Sequence, residues 1–63
     1  MIGQLVKLIS SVDLWVDGNY LRNEPGNLGI IVESLDATNY FKVYWFKHKV
    51  TNVMFWSYFE VLS

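Results

Sequence analysis

The sequence predicts an all-β domain, a small closed barrel of about five short antiparallel strands with a long first loop, with residues 1–63 forming one unit. Three observations carry this reading. Apolar segments alternate with a period of two, clusters of Gly, Pro, Asn and Asp separate them, and the chain is unusually rich in rings. Hydrophobic residues make up 52% of its 63 positions and aromatic residues 17%. A chain this short hides only about 60% of its unfolded surface, so large rings are an effective way to build its core. A sheet of two or three strands would leave much of that apolar surface wet, whereas closure hides the rings and removes the edges.

Gly3 to Ile9 reads as the first strand, with Val6 and Leu8 on one face and Leu5, Lys7 and Ile9 on the other. Leu5, Leu8 and Ile9 also suit a helical period, but the segment is too short for an independently stable helix. Ser10 to Asn27 is the long connection. Asp17-Gly18-Asn19 supplies residues that tolerate positive φ, and Pro25-Gly26 suits the centre of a type II turn. Eighteen residues is long for a structureless loop. Val12, Leu14, Trp15, Val16, Tyr20 and Leu21 indicate that it folds back on itself, part of it as an irregular hairpin over one end of the core.

Leu28 to Ser34 reads as the second strand, with Gly29 marking a bulge or tight bend. Asp36-Ala37-Thr38-Asn39 reads as a hairpin loop. Tyr40 to Phe46, YFKVYWF, is the third strand. Its row of Phe41, Val43 and Trp45 is the expected core face, because the opposite row holds Lys42 and both tyrosine hydroxyls. Lys47-His48-Lys49 is the next turn. A fourth strand follows to about Trp56, with Val53 and Phe55 in one row and Met54 and Trp56 in the other. Ser57-Tyr58-Phe59 suits one helical turn, and Glu60 to Ser63 a short closing strand with Phe59, Val61 or Leu62 plugging the end.

The order GQLVKLI, a long loop ending in glycine, GIIVE, a hairpin, FKVYWF, then FW and a closing YFEVL resembles the SH3-like small β-barrels. It resembles in particular the short stand-alone versions found in bacteria and their viruses. The resemblance spans nearly the whole chain and implies a closed barrel. It implies no single function, since such barrels bind peptides, contact RNA or DNA, or serve as assembly pieces. The acidic early loop of the signalling members has a counterpart in Asp13, Asp17 and Glu24, with Trp15 and Tyr20 among them. Their ALYDY-like opening and paired tryptophans are absent, so a proline-rich ligand is not carried over.

Composition narrows the function classes. The chain has no cysteine, which removes disulfides, thiolate metal sites and thiol chemistry. It has no apolar run long enough for a membrane helix and no basic-start signal segment, so a cytoplasmic address is expected by default and no membrane partner is. A formal net charge of -1 offers little field for phosphate neutralisation.

No catalytic site is expected. His48 is the only histidine and lies between two lysines in a turn, without a partner to orient it or a ligand set to join. Asp13, Asp17 and Glu24 read as solvated loop acids, lacking the alternating oxygen ligands of a calcium loop. Gly18, Gly26 and Gly29 form no phosphate-cradling motif. No cofactor, metal or enzyme activity is therefore expected.

The surplus of rings is the most informative feature. Three Trp, four Tyr and four Phe exceed what one small interior can hide. Trp15, Tyr20, Tyr44, Trp56 and Tyr58 are the candidates for an outward cluster, a residue class suited to interfaces. Either they form a contact surface or the early loop folds across them. The leading expectation is a binding or assembly module that contacts protein or its own copies. The alternative is a small nucleic-acid binder using Lys42, Lys47 and Lys49 beside Tyr44, Phe46 and Trp56. Three lysines give only a small salt-dependent contribution, and Glu33 is placed to pair with Lys42 across the hairpin.

Overall fold

The computed structural model describes residues 2–35 and 39–63. Among these residues, seven antiparallel strands run in the order β1 (Leu5–Leu8), β2 (Val12–Val16), β3 (Asn19–Asn23), β4 (Leu28–Leu35), β5 (Tyr40–Trp45), β6 (Val50–Phe55) and β7 (Phe59–Val61), with a 3-10 turn at Trp56–Tyr58. They form two open sheets, one five-stranded in the order β6-β5-β4-β1-β7 and one two-stranded, β2-β3.

This corrects the expected five-stranded, closed SH3-like barrel. No ladder joins β6 to β7, so the larger sheet keeps two edges. Each end strand has a single partner: β6 pairs with β5, and β7, three residues long, pairs with β1, while the helical turn expected at Ser57 to Phe59 is found one residue earlier, at Trp56–Tyr58. The sheet coils instead of closing. Phe59 on β7 and Phe41 on β5 lie three ladders apart, yet their rings meet edge-on at 5.9 Å. Alternation in a sequence identifies strands; it does not say whether the first and last of them meet.

The inner face of this sheet holds one cluster, made of Val6, Leu8, Ile31, Val43, Trp45, Met54 and Phe59, with Val12 and Phe41 packed against it. The expected inner row of β5 is the observed one. Burying the Trp45 ring requires a partner for its N–H, and Asn52 supplies it, its Oδ1 accepting from Nε1 at 2.7 Å. Trp45 also requires space. Gly29 stands directly opposite it in the ladder, and a Cβ there would lie 2.8 Å from the Trp45 ring and 2.6 Å from the Tyr44 carbonyl oxygen.

Gly29 is thus a point of close approach rather than a bulge. The bulge falls three residues later, at Val32, between the pairs Ile31–Val43 and Glu33–Lys42. It shifts the two-residue rhythm of β4, so that Glu33 leaves the face of Ile31 and turns outward to meet Lys42, Nζ to Oε1 3.4 Å. The expected pairing of Glu33 with Lys42 is present because of it.

The long early connection is mostly hairpin. Asp17 and Gly18 take positive φ, 51° and 79°, in the tight turn between β2 and β3. The return is locked to β1: Gly26 N–H donates to the Leu8 carbonyl at 2.8 Å and Leu8 N–H to the Asn27 carbonyl at 2.9 Å. Pro25-Gly26 forms the expected turn, with Gly26 at φ 98°. The hairpin loop read at Asp36 to Asn39 lies, for its first three residues, outside the described residues. Of the candidate plugs at the end, Phe59 is buried, while Val61 and Leu62 are exposed.

Candidate functional site

The hairpin β2–β3 has two unlike faces. Its inner row runs through Val12, Leu14 and Leu21 to Asn23; Leu14 and Asn23 are buried. Asn23 Oδ1 accepts from Asn27 Nδ2 at 2.6 Å, and its own Nδ2 is buried without a partner. Of this row, Val12 packs against the core cluster. Period-two alternation then forces Asp13 and Trp15 of β2, and Tyr20 and Arg22 of β3, to the opposite side.

The register places Trp15 across from Tyr20 and Asp13 across from Arg22. The Trp15 and Tyr20 rings meet edge-to-face, centroids 5.5 Å apart at 73°. Arg22 Nε lies 3.5 Å from Asp13 Oδ1. The Arg22 pKa is raised, first by its hydrogen bond to the Tyr20 side chain and then by Asp13. The four side chains form one continuous outward patch in which each touches the next. Trp15 is 74% exposed and Tyr20 50%. The early segment therefore does not cover its own rings; it presents them.

The other three candidate rings lie elsewhere. Tyr44 is half-buried on the outer face of the large sheet, opposite Ile30 and Thr51, with its ring against Phe46 at 5.9 Å. Trp56 is exposed at the start of the 3-10 turn and leans on Phe55, whose ring also meets Tyr40. Tyr58 is exposed at the end of that turn, where its carbonyl accepts from Ile9 N–H. Of the five candidate residues, only Trp15 and Tyr20 share a ring contact among the described residues. Arg22, the third member of the patch, is named by no motif. Its signal is cross-strand: once Asp17-Gly18 is read as a two-residue turn, the register follows and Arg22 falls beside Tyr20.

Lys42 is engaged with Glu33, while Lys47 and Lys49 are exposed in the turn between β5 and β6. His48 in that turn is half-buried rather than solvated, with Nε2 out of contact with any hydrogen-bond partner. Among the described residues no group of three or more His, Cys, Asp or Glu is placed to hold a metal ion, and no helix is long and apolar enough to cross a membrane. No protein-family model, curated protein or solved structure matches this chain.

Proposed function

We propose that the chain is a small protein-contact module that works by binding rather than catalysis, with the outward face of the β2–β3 hairpin as its contact surface. The observation that carries this is the continuity of Trp15, Tyr20 and Arg22 on one exposed face. Trp, Tyr and Arg are the three residue types that most often dominate binding energy at protein interfaces. Here they are already ordered against one another, so little side-chain freedom remains to be lost on association. Trp56 and Tyr58, exposed in the 3-10 turn, are the second set of rings offered to a partner.

The test is a selection of binders from a displayed library of folded domains and peptides against the wild-type chain, followed by affinity measurement on Trp15→Ala and Tyr20→Ala. Selected binders should lose about 2 kcal/mol or more on Trp15→Ala, roughly 30-fold in Kd. Binders that hold both variants as tightly as wild type would remove the hairpin from the reading. Oligonucleotide titration at two salt concentrations addresses the nucleic-acid alternative. Binding that weakens steeply with salt and with Lys47→Ala or Lys49→Ala would favour it instead.

A further inference from the structure

The open sheet has one edge of unusual character. Strand β6, Val50–Phe55, reads VTNVMF and pairs with β5 on one side only. The hydrogen bond from Trp56 N–H to the Asn39 carbonyl, 3.1 Å, fixes the phase of that ladder. Opposed pairs alternate between bonded and non-bonded in an antiparallel ladder. With Tyr40 opposite Phe55, the pairs Phe41–Met54, Val43–Asn52 and Trp45–Val50 are bonded. The N–H and C=O groups of Thr51, Val53 and Phe55 therefore point away from the sheet. No hydrogen bond joins them to another described segment.

Proteins usually blunt such an edge with a charge, a proline, a bulge or a very short strand. Strand β7, the other edge, is three residues long and carries Glu60, bound to Lys7 at 3.7 Å. In the hairpin, β2 carries Asp13 and β3 carries Arg22. Strand β6 has six residues, no charge, no proline and no bulge.

We propose that β6 pairs antiparallel with β6 of a second copy of this chain about a two-fold axis at Val53. The strand is self-complementary about that residue. Val53 meets its symmetry mate, and Thr51 meets Phe55, a β-branched residue against an aromatic one, a favourable cross-strand combination. Each of the three outward-pointing residues then both donates and accepts a backbone bond. No charge on β6 repels its copy, and the chain's net charge of -1 adds little. Val53, 47% exposed, supplies apolar contact at the axis. A two-fold strand pair is a closed, isologous interface, so it yields a dimer rather than a fibre.

The experiment is sedimentation equilibrium from micromolar to about millimolar concentration, with amide hydrogen exchange followed by NMR over the same range. The wild-type chain should dimerise, and the amides of Thr51, Val53 and Phe55 should gain protection as concentration rises. Val53→Lys and Val53→Glu should each weaken the dimer about tenfold or more, by placing like charges face to face. Mixed in equal amounts, the two variants should associate again. Val53 is surface-exposed, so both should stay folded, which near-ultraviolet circular dichroism checks. A wild-type chain monomeric throughout, a dimer indifferent to Val53→Lys, or a mixture that stays monomeric would each overturn the proposal. Trp15→Ala should leave the dimer unchanged, which separates this edge from the hairpin surface.

Discussion

The five-stranded sheet and the two-stranded hairpin divide the molecule's physical tasks. The sheet holds nearly every buried apolar residue: Val6, Leu8, Ile31, Val43, Trp45, Met54 and Phe59. The hairpin contributes Leu14 as its one buried hydrophobic residue, and displays Trp15 and Tyr20. A two-stranded hairpin alone is marginal in water. This one is held by its inner row and by the backbone bonds between Gly26, Asn27 and β1. An element that borrows its stability in this way is free to spend its outer face on large exposed rings. Segments with few buried contacts are also where local opening and binding surfaces concentrate.

That division makes unequal predictions for the two regions. The largest effect is expected at the centre of the sheet. Val43 is fully buried among apolar neighbours. Val43→Asp would place a carboxylate there without a partner, at a cost above about 4 kcal/mol. The core of a domain this small rarely supplies more than about 3–5 kcal/mol, so the variant should be unfolded by circular dichroism and by collapsed NMR dispersion. A folded Val43→Asp would mean that the inner row of β5 is wrongly assigned.

A smaller and more local effect is expected in the hairpin. Leu14→Ala removes its buried anchor, with an expected cost near 2 kcal/mol, the low end for such truncations because the site lies at the margin of the core. Exchange of the β2 and β3 amides should accelerate while those of β4 and β5 stay protected. Uniform acceleration across all strands would show that hairpin and sheet open as one unit, and would end the division drawn above.

The same division explains what was legible beforehand. The inner row of β5 was readable, because its two rows differ in polarity: Lys42 and two tyrosines on one side, Phe41, Val43 and Trp45 on the other; the strand itself ends at Trp45, one residue before the expected Phe46. The turns at Asp17-Gly18 and Pro25-Gly26 were readable from local chemistry alone. Closure was not. It depends on whether β6 and β7 come within bonding reach, a long-range matter that alternation along each strand does not encode. The bulge at Val32 was equally hidden, since Val is an ordinary strand residue and the shift shows only in its partners across the ladder. For the candidate surface, Trp15 and Tyr20 were identifiable as surplus rings. Their contact with each other depends on the hairpin register, Trp15 across from Tyr20, which an irregular hairpin does not specify.

The smallest effect is the one most diagnostic of that hidden bulge. Lys42 adjoins Val43 in the chain but faces the other way, its Nζ 3.4 Å from Glu33, with 42% and 53% of the two side chains exposed. Exposed ion pairs of this kind contribute about 0–1 kcal/mol. Lys42→Ala should therefore shift the urea midpoint only slightly, and the difference from wild type should shrink as salt screens the pair. Without the bulge, Glu33 would share the face of Ile31 and its charge would lie against the core, where Lys42 could not reach it. Glu33→Ala would then stabilise the domain. With the bulge, Glu33→Ala and Lys42→Ala should have small effects of the same sign, and the double variant should cost less than their sum, since each removes the same interaction.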